Sequence, residues 1–187
     1  MYFIKIEKFD YKSINLQIQC DSDYARDKIA RRSISGVIIW LNDNVVYFKA
    51  NHIKGTCLSV TEAEYRAAGD GLMALLSLMN LFTDLAPLTI KKPAEMQLDN
   101  SGAIFISKNS VNSNLTKHIE IRHHFIRDHI DNGTLRISHI DTADNISDFL
   151  TKPEVDALFI KNRDLLMQSY DESQYITHDV TYIKNKT

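Results

Sequence analysis

Four acidic side chains lie where regular secondary structure is predicted to begin or end: Asp21, Glu64, Asp99 and Asp148. Clustered carboxylates raise each other's pKa unless a cation lies between them. Carboxylate oxygens suit Mg²⁺ or Mn²⁺, and two such ions about 3.5–4 Å apart can stabilise both oxygens of a phosphoryl transfer. The pattern therefore suggests metal-dependent chemistry at phosphate. The chain has 24 acidic residues, so a solvated surface charge is the simpler interpretation of any single one.

The segment SVTEAEYRA, residues 59–67, places two glutamates two positions apart at a predicted helix start. Side chains at i and i+2 of a helix do not share a face, so Glu62 and Glu64 need separate roles. Ser59 followed by Glu62 has the pattern of a capping box, which predicts that Glu62 caps the helix. We therefore expect Glu64 to face the sheet and bind metal.

The first half of the chain is predicted to hold three strands and a long helix. Alternating apolar and polar residues predict a strand over 14–20. Two β-branched and aromatic runs, 35–42 and 45–52, predict a hairpin that turns at Asp43-Asn44. Later, apolar residues recur at steps of three and four, which predicts an amphipathic helix over about 60–82.

The second half is predicted to alternate between strands and helices. The predicted elements are a strand over 94–99, a helix over 101–109, a helix over 116–130, a strand over 134–140, a short helix over 144–152, and an amphipathic helix over 154–167 followed by a polar tail. Three leading strands followed by alternating helices and strands predict an α/β protein with a mixed sheet covered by helices.

Composition narrows the class of protein. The 187 residues carry a net charge of −2, so nucleic-acid binding would depend on local basic patches. Two cysteines in a chain of this length suggest a reducing compartment rather than a disulfide scaffold. The sequence has neither a signal-peptide pattern nor an apolar run of about 20 residues, so we expect an intracellular protein, cytoplasmic or nuclear, without a membrane partner.

Five segments, taken in order, resemble the ribonuclease H domain of copia-type retrotransposon Pol polyproteins. They are DSDYARDKIARRSISG, SVTEAEYRA, QLDNSGAIFISKN, TKHIEIRHHFIRDHI and ISDFLTKP. The resemblance implies a ribonuclease H-like fold, with a five-stranded mixed sheet whose first three strands are antiparallel, flanked by helices. It divides the chain into residues 1–13, a remnant of the connection to a polymerase, a ribonuclease H-like domain over 14–153, and a C-terminal helix and polar tail over 154–187.

The resemblance also implies a function for the four acids. Asp21, Glu64, Asp99 and Asp148 match a D-E-D-D site whose two Mg²⁺ or Mn²⁺ ions serve hydrolysis of the RNA strand in an RNA–DNA hybrid. In the family mechanism a metal-activated water attacks the phosphodiester, leaving a 3′-hydroxyl and a 5′-phosphate. The mobile histidine of cellular ribonucleases H has no counterpart here, and we interpret His139 as a structural or exposed residue.

Basic and polar residues at two places are candidates for holding the hybrid. The candidate contacts are Arg26, Lys28, Arg31 and Arg32 in the first loop, Asn100, and Lys117 with Arg122 and Arg127 on the later helix. Such groups neutralise phosphates and make binding salt-dependent. For the helix, bracing of the fold is the competing interpretation.

Two functions remain open. The first is an active Mg²⁺-dependent ribonuclease H, which the presence of all four acids favours. The second is a catalytically inactive, truncated or domesticated retroelement fragment that binds nucleic acid. This second function is motivated by the absence of polymerase, integrase and protease motifs, so that a reverse transcriptase domain would have to be supplied in trans.

Overall fold

The computed structural model describes residues 2–4, 14–27, 29–85, 90–109 and 120–169. Its elements are β1 (Tyr2–Ile4), β2 (Leu16–Asp23), β3 (Ile34–Leu41), β4 (Asn44–His52), α1 (Val60–Leu85), β5 (Ala94–Leu98), α2 (Ser101–Lys108), α3 (Glu120–Asp131), β6 (Leu135–His139), a 3₁₀ turn (Thr142–Asp144), α4 (Asp148–Thr151), α5 (Asp156–Leu166) and β7 (Met167–Ser169). No helix within these ranges has the length and apolarity needed to cross a membrane.

Five strands form one mixed sheet in the order β4-β3-β2-β5-β6. The first three, β2, β3 and β4, pair antiparallel, whereas β2 pairs parallel with β5 and β5 pairs parallel with β6. This confirms the predicted sheet. The short strands β1 and β7 pair antiparallel in a second, two-stranded sheet, so segments from opposite ends of the described chain meet.

The β3–β4 hairpin turns one residue earlier than predicted. Asn42 and Asp43 occupy the turn with φ of 47° and 67°, while Asn44 already begins β4. A type I′ turn, whose twist matches that of its strands, has positive φ at both central positions, and Asn and Asp tolerate that region without glycine.

The face of the sheet that α1 covers is apolar. Ile18 and Cys20 of β2 are fully buried beneath Leu72 of that helix, within one large hydrophobic cluster. A Cβ on Gly71 would lie 2.5 Å from Cys20 Sγ, so glycine is what allows α1 to approach β2 this closely. Burial of this face supplies the main stabilisation of the fold.

The opposite face is polar on β2 and β5, whereas on β3 it carries the buried, apolar Ile38. Gln97 Oε1 accepts hydrogen bonds from Gln17 Nε2 at 2.7 Å and from Gln19 Nε2 at 2.9 Å. On β3 this face is covered by α4, and a Cβ on Gly36 would lie 2.8 Å from both Ser147 O and Thr151 Cγ2. Glycine at position 36 therefore sets the distance between α4 and the sheet.

Two predicted helices differ from the structure. The helix predicted over 144–152 is shortened to Asp148–Thr151, because a 3₁₀ turn precedes it and Asn145 lies between the two. The helix predicted over 154–167 is present as α5, but its apolar residues are only partly covered. Leu166 is buried, whereas Leu158 and Phe159 are 39% and 45% exposed, and Phe159 packs against Phe149 with ring centroids 5.2 Å apart. Parts of the predicted 116–130 helix and of the polar tail lie outside the described residues.

Candidate metal centre

Three of the four acids converge at one edge of the sheet. Asp21 lies in β2, and Asp99 directly follows β5, the parallel neighbour of β2, so both strands deliver their acids to the same edge. Asp148 is the first residue of α4. One carboxylate oxygen from each of the three lies within 4.8 Å of the other two, although they come from three separate elements.

The loop before α4 is hydrogen-bonded to β2, which fixes the position of Asp148. Asn145 Nδ2 donates to Cys20 O at 3.3 Å, and Ile146 N donates to Gln19 Oε1 at 3.0 Å. Ser147 Oγ donates to Asn145 Oδ1 at 2.6 Å. Since Asn145 and Ser147 are buried, these bonds satisfy groups that would otherwise be costly to bury.

The two glutamates near the start of α1 have the separate surroundings that the sequence predicts. Ser59 Oγ accepts from Glu62 N at 3.1 Å, and Glu62 Oε2 accepts from Leu58 N at 2.7 Å, one residue before the expected cap position. Glu62 also pairs with Arg66 at 2.6 Å. Glu62 is therefore a structural residue of the helix start.

Glu64, by contrast, is buried beside the cluster. Its Oε1 accepts from Ser22 N at 3.2 Å and from Ser22 Oγ at 3.0 Å. Burial, together with the charges of Asp21 and Asp99, raises the pKa of Glu64 to about 8. The carboxylate thus interacts with the cluster electrostatically, while lying outside the group of three whose oxygens come within 4.8 Å.

Two oxygens of the site are suited to a cation. Glu64 Oε2 and Asp148 Oδ1 are buried and have no hydrogen-bond partner among the described residues. Burial and the charge of Asp21 raise the pKa of Asp148 to about 7. Buried anionic oxygens without donors are costly, and a hard divalent cation with oxygen ligands removes that cost. The residues present therefore fit Mg²⁺ or Mn²⁺.

Sequence analysis missed two neighbours of the cluster, Thr151 and Lys152. Thr151 Oγ1 donates to Asp21 Oδ2, and Lys152 Nζ lies 3.2 Å from Asp21 Oδ1 and 3.0 Å from Asp148 Oδ2. Burial alone would lower the pKa of Lys152, but the charges of Asp21 and Asp148 raise it above the ordinary value. The i,i+4 spacing of Asp148 and Lys152 was a signal available in the sequence.

The candidate hybrid contacts are distributed around this centre. Arg26 Nη1 donates to Asp23 Oδ2 at 2.8 Å and to Thr151 O at 3.2 Å, so its guanidinium ties the first loop to α4. Arg31 and Arg32 are exposed in that loop. Lys28 and Lys117 lie outside the described residues.

Three further residues from the sequence analysis have local partners. Asn100 Oδ1 accepts from Ala103 N at 2.9 Å, which caps α2. Arg127 Nη2 lies 2.9 Å from His124 Nδ1 on α3. The side chain of His139 is 50% exposed and lies 3.9 Å from Asp141 Oδ1.

Comparison with known proteins finds relatives among retrotransposon polyproteins. No protein-family model matches the chain. The Pol polyprotein from transposon RE1 of Arabidopsis thaliana is 34% identical over 141 residues, which are 75% of this chain and 10% of that protein. The Pol polyprotein from transposon TNT 1-94 of Nicotiana tabacum is 33% identical over 132 residues, 71% of this chain and 10% of that protein. The chain thus spans about a tenth of the length of these relatives.

Solved structures share the fold at lower identity. LC11-RNase H1, isolated from compost by a metagenomic approach, superposes with a TM-score of 0.53 at 20% identity, covering 73% of this chain and 92% of that chain. LC11-RNase H1 in complex with an RNA/DNA hybrid gives a TM-score of 0.51 at 18% identity, covering 78% and 99%.

Proposed function

Because the chain belongs to the copia-type retrotransposon Pol polyproteins, as a segment with the ribonuclease H-like fold, we propose that it hydrolyses the RNA strand of RNA–DNA hybrids with two divalent cations, Mg²⁺ or Mn²⁺. One observation carries the proposal. Asp21, Asp99 and Asp148 come from three separate elements and bring carboxylate oxygens within 4.8 Å of one another.

The acidic residues of the cluster would be the ligands of the cations. Bound divalent cations supply Lewis acidity, which lowers the pKa of water and stabilises charge at a phosphodiester. Asp21, Asp99 and Asp148 would ligate them, with Asp148 Oδ1 still open to a further partner. Glu64, whose Oε1 is held by Ser22, would be the fourth ligand through its buried and unpartnered Oε2.

Neighbouring hydroxyl groups orient the carboxylates. Thr142 Oγ1 donates to Asp99 Oδ2 at 2.9 Å, and Thr151 Oγ1 donates to Asp21 Oδ2. Each bond fixes one oxygen of an acid, while the other oxygen of Asp21 contacts Lys152 Nζ at 3.2 Å. Such fixed outer partners hold ligands in position before the cation arrives, which increases affinity.

The first loop is a suitable place for the hybrid to bind. It starts directly after β2, and Asp27 Oδ1 accepts from Ile29 N and Ala30 N, each at 2.9 Å, which holds the loop in a turn. Arg31 and Arg32 are exposed on this turn and would neutralise phosphates. One protein of the same fold is an RNase H1 solved with an RNA/DNA hybrid, which supports the same substrate class here.

Since the relatives are Pol polyproteins, we propose that a reverse transcriptase domain supplied in trans adds to substrate binding. Binding to phosphates alone carries no preference for RNA, so contacts to 2′-hydroxyls are needed to select the RNA strand. These contacts would lie on the polar face of the sheet, beside the cluster.

Cleavage of a labelled RNA–DNA hybrid by the purified chain with Mg²⁺ tests the proposal. Asp99→Asn is expected to reduce the rate about a hundredfold or more, because it removes a charged ligand from the centre. Asp84→Asn, at an exposed position in the last turn of α1, is the matched control and should cleave like wild type. Circular dichroism establishes that both variants are folded.

Two results would contradict this function. Equal rates for wild type and Asp99→Asn would exclude the carboxylate cluster as the centre of reaction. Hybrid binding by wild type without cleavage, in either Mg²⁺ or Mn²⁺, would instead support the alternative of a nucleic-acid-binding module.

A further inference from the structure

Lys152 places a positive charge inside the carboxylate cluster. Its Nζ contacts Asp21 Oδ1 at 3.2 Å and Asp148 Oδ2 at 3.0 Å. These are two of the three acids whose oxygens come within 4.8 Å of one another. The ammonium group therefore bridges two carboxylates that the proposed function assigns to a divalent cation.

The lysine is anchored at its backbone and partly exposed at its side chain. Lys152 N donates to Asp148 O at 2.9 Å, which ends α4, and the preceding carbonyl, Thr151 O, accepts from Arg26. The side chain itself is 38% exposed, whereas that of Asp21 is 1% exposed. The ammonium thus reaches the cluster from its solvent side, and its flexible stem can return to solvent without any movement of the backbone.

The ammonium leaves part of the cluster uncompensated. It carries one charge against four acids, and Glu64 Oε2 and Asp148 Oδ1 keep no hydrogen-bond partner among the described residues. A lysine ammonium has three donors, all directed outward from one nitrogen. A divalent cation has twice the charge and accepts six or more oxygen ligands, so it satisfies more of these oxygens at once.

We propose that Lys152 is a built-in counter-ion that exchanges with the divalent cation. In the metal-free protein it holds Asp21 and Asp148 together, and it leaves them when the cation binds. This inference rests on the proposed function, because it concerns the same centre. It assigns Lys152 a role that opposes cation binding while it supports the metal-free fold.

Exchange predicts two effects of opposite sign on removal of the ammonium. The metal-free protein should lose stability, because Asp21 and Asp148 then repel each other without a charge between them. Cation binding should become stronger, because the cation no longer displaces a competing charge. A residue that merely supported the ligands would weaken cation binding when removed, so the sign of the change separates the two roles.

A calorimetric titration of the full chain with Mn²⁺ alone, at constant pH, measures the exchange. Lys152→Met is expected to bind Mn²⁺ about tenfold more tightly than wild type. Its metal-free melting temperature should fall by about 2–4 °C. Lys152→Arg keeps the charge and should restore wild-type affinity, while Lys161→Met, at an exposed position on α5, is the matched control.

A second measurement uses the wild-type chain, so it does not depend on whether Lys152→Met folds. The ammonium resonance of Lys152 is assigned by its absence from the Lys152→Arg spectrum and is followed during titration with Mg²⁺. It should move from an ion-paired to a solvated chemical shift as the site fills.

Neither measurement requires a nucleic-acid substrate, so each can fail independently of cleavage. The exchange is overturned if folded Lys152→Met binds Mn²⁺ equally or more weakly, or if the ammonium resonance stays unchanged at saturating Mg²⁺. A wild-type chain that binds neither ion overturns the exchange and the metal site together. Exchange without any cleavage would contradict the proposed function alone.

Discussion

The two faces of β2 are built from alternate residues of one strand, yet they have opposite characters. On β2, Ile18 and Cys20 lie beneath α1 in the hydrophobic cluster, whereas Gln19 and Asp21 face the other way, toward α4 and the carboxylate cluster. One face buries apolar surface and stabilises the fold. The other buries charge, which destabilises the metal-free fold and prepares it for a cation.

The short helix α4 depends on its contacts with the sheet rather than on its own length. Its four residues contribute little helix of their own, and isolated helices of that length are not stable. Apolar contacts of Phe149 and Leu150 with the Ile38 cluster, and the hydrogen bonds of Asn145, hold it on the sheet instead. The sheet thus provides a base on which a four-residue helix, held by apolar contacts and hydrogen bonds, can position Asp148.

The largest stability effect is expected on the α1 face. Leu72→Ala should lower the free energy of unfolding by about 2–5 kcal/mol, because it opens a cavity in a fully buried cluster. Met73→Ala, one residue away and 52% exposed, is the matched control and should have little effect. Urea denaturation measures both. The cleavage rate per folded molecule should be unchanged in Leu72→Ala. A loss of cleavage would show that the carboxylate cluster depends on packing of the α1 face.

The opposite face should make the metal-free protein sensitive to pH. The folded state holds protons on Glu64 and Asp148, whose pKa values are raised to about 8 and about 7 from ordinary values of 4.5 and 3.8. The unfolded chain releases these protons at lower pH, so stability should decrease as pH rises from about 5 to about 8. We expect a decrease of about 2–4 kcal/mol in the free energy of unfolding.

Denaturation with a chelator present, at several pH values, measures this dependence. Glu64→Gln should flatten the curve, because it removes the group with the larger rise in pKa. Stability that stays constant or increases over this pH range would show that the carboxylates are not under electrostatic strain, and it would weaken the contrast between the two faces.

A smaller effect is expected at Asn145, which hydrogen-bonds the loop before α4 to β2. Asn145→Ala removes bonds to Cys20 O and Ser147 Oγ, and should cost about 1–3 kcal/mol. Mn²⁺ affinity should decrease as well, since Asp148 loses its support. Asn109→Ala, at an exposed position after α2, is the control. Unchanged Mn²⁺ affinity in Asn145→Ala would mean that α4 is held by its apolar contacts alone.

Local sequence patterns predicted the sheet and the position of Asp99 at the end of β5, because alternation is a property of neighbouring residues. The end of the first predicted strand was wrong, since β2 continues to Asp23 and Asp21 lies within it. The capping role of Glu62 followed in the same way from its spacing to Ser59. The hairpin turn was predicted one residue late, since Asn42 and Asp43 enter the positive-φ region without the glycine that usually marks it.

What the sequence could not predict depends on contacts between distant segments. The apolar spacing in α5 indicates a helix, but it does not identify a surface for Leu158 and Phe159 to cover, and both are partly exposed. The contact of Lys152 with Asp21 joins residues 131 positions apart, and it depends on how closely α4 lies on β2 and β3. Periodicity along the chain carries no information about that distance.

Gly36 carries no charge and no side chain, yet the position of Asp148 depends on it. A methyl group there would meet Ser147 O and Thr151 Cγ2 at 2.8 Å and force the segment bearing Asp148 outward. A single Gly36→Ala substitution is therefore expected to displace Asp148 and weaken cation binding although all four acids remain.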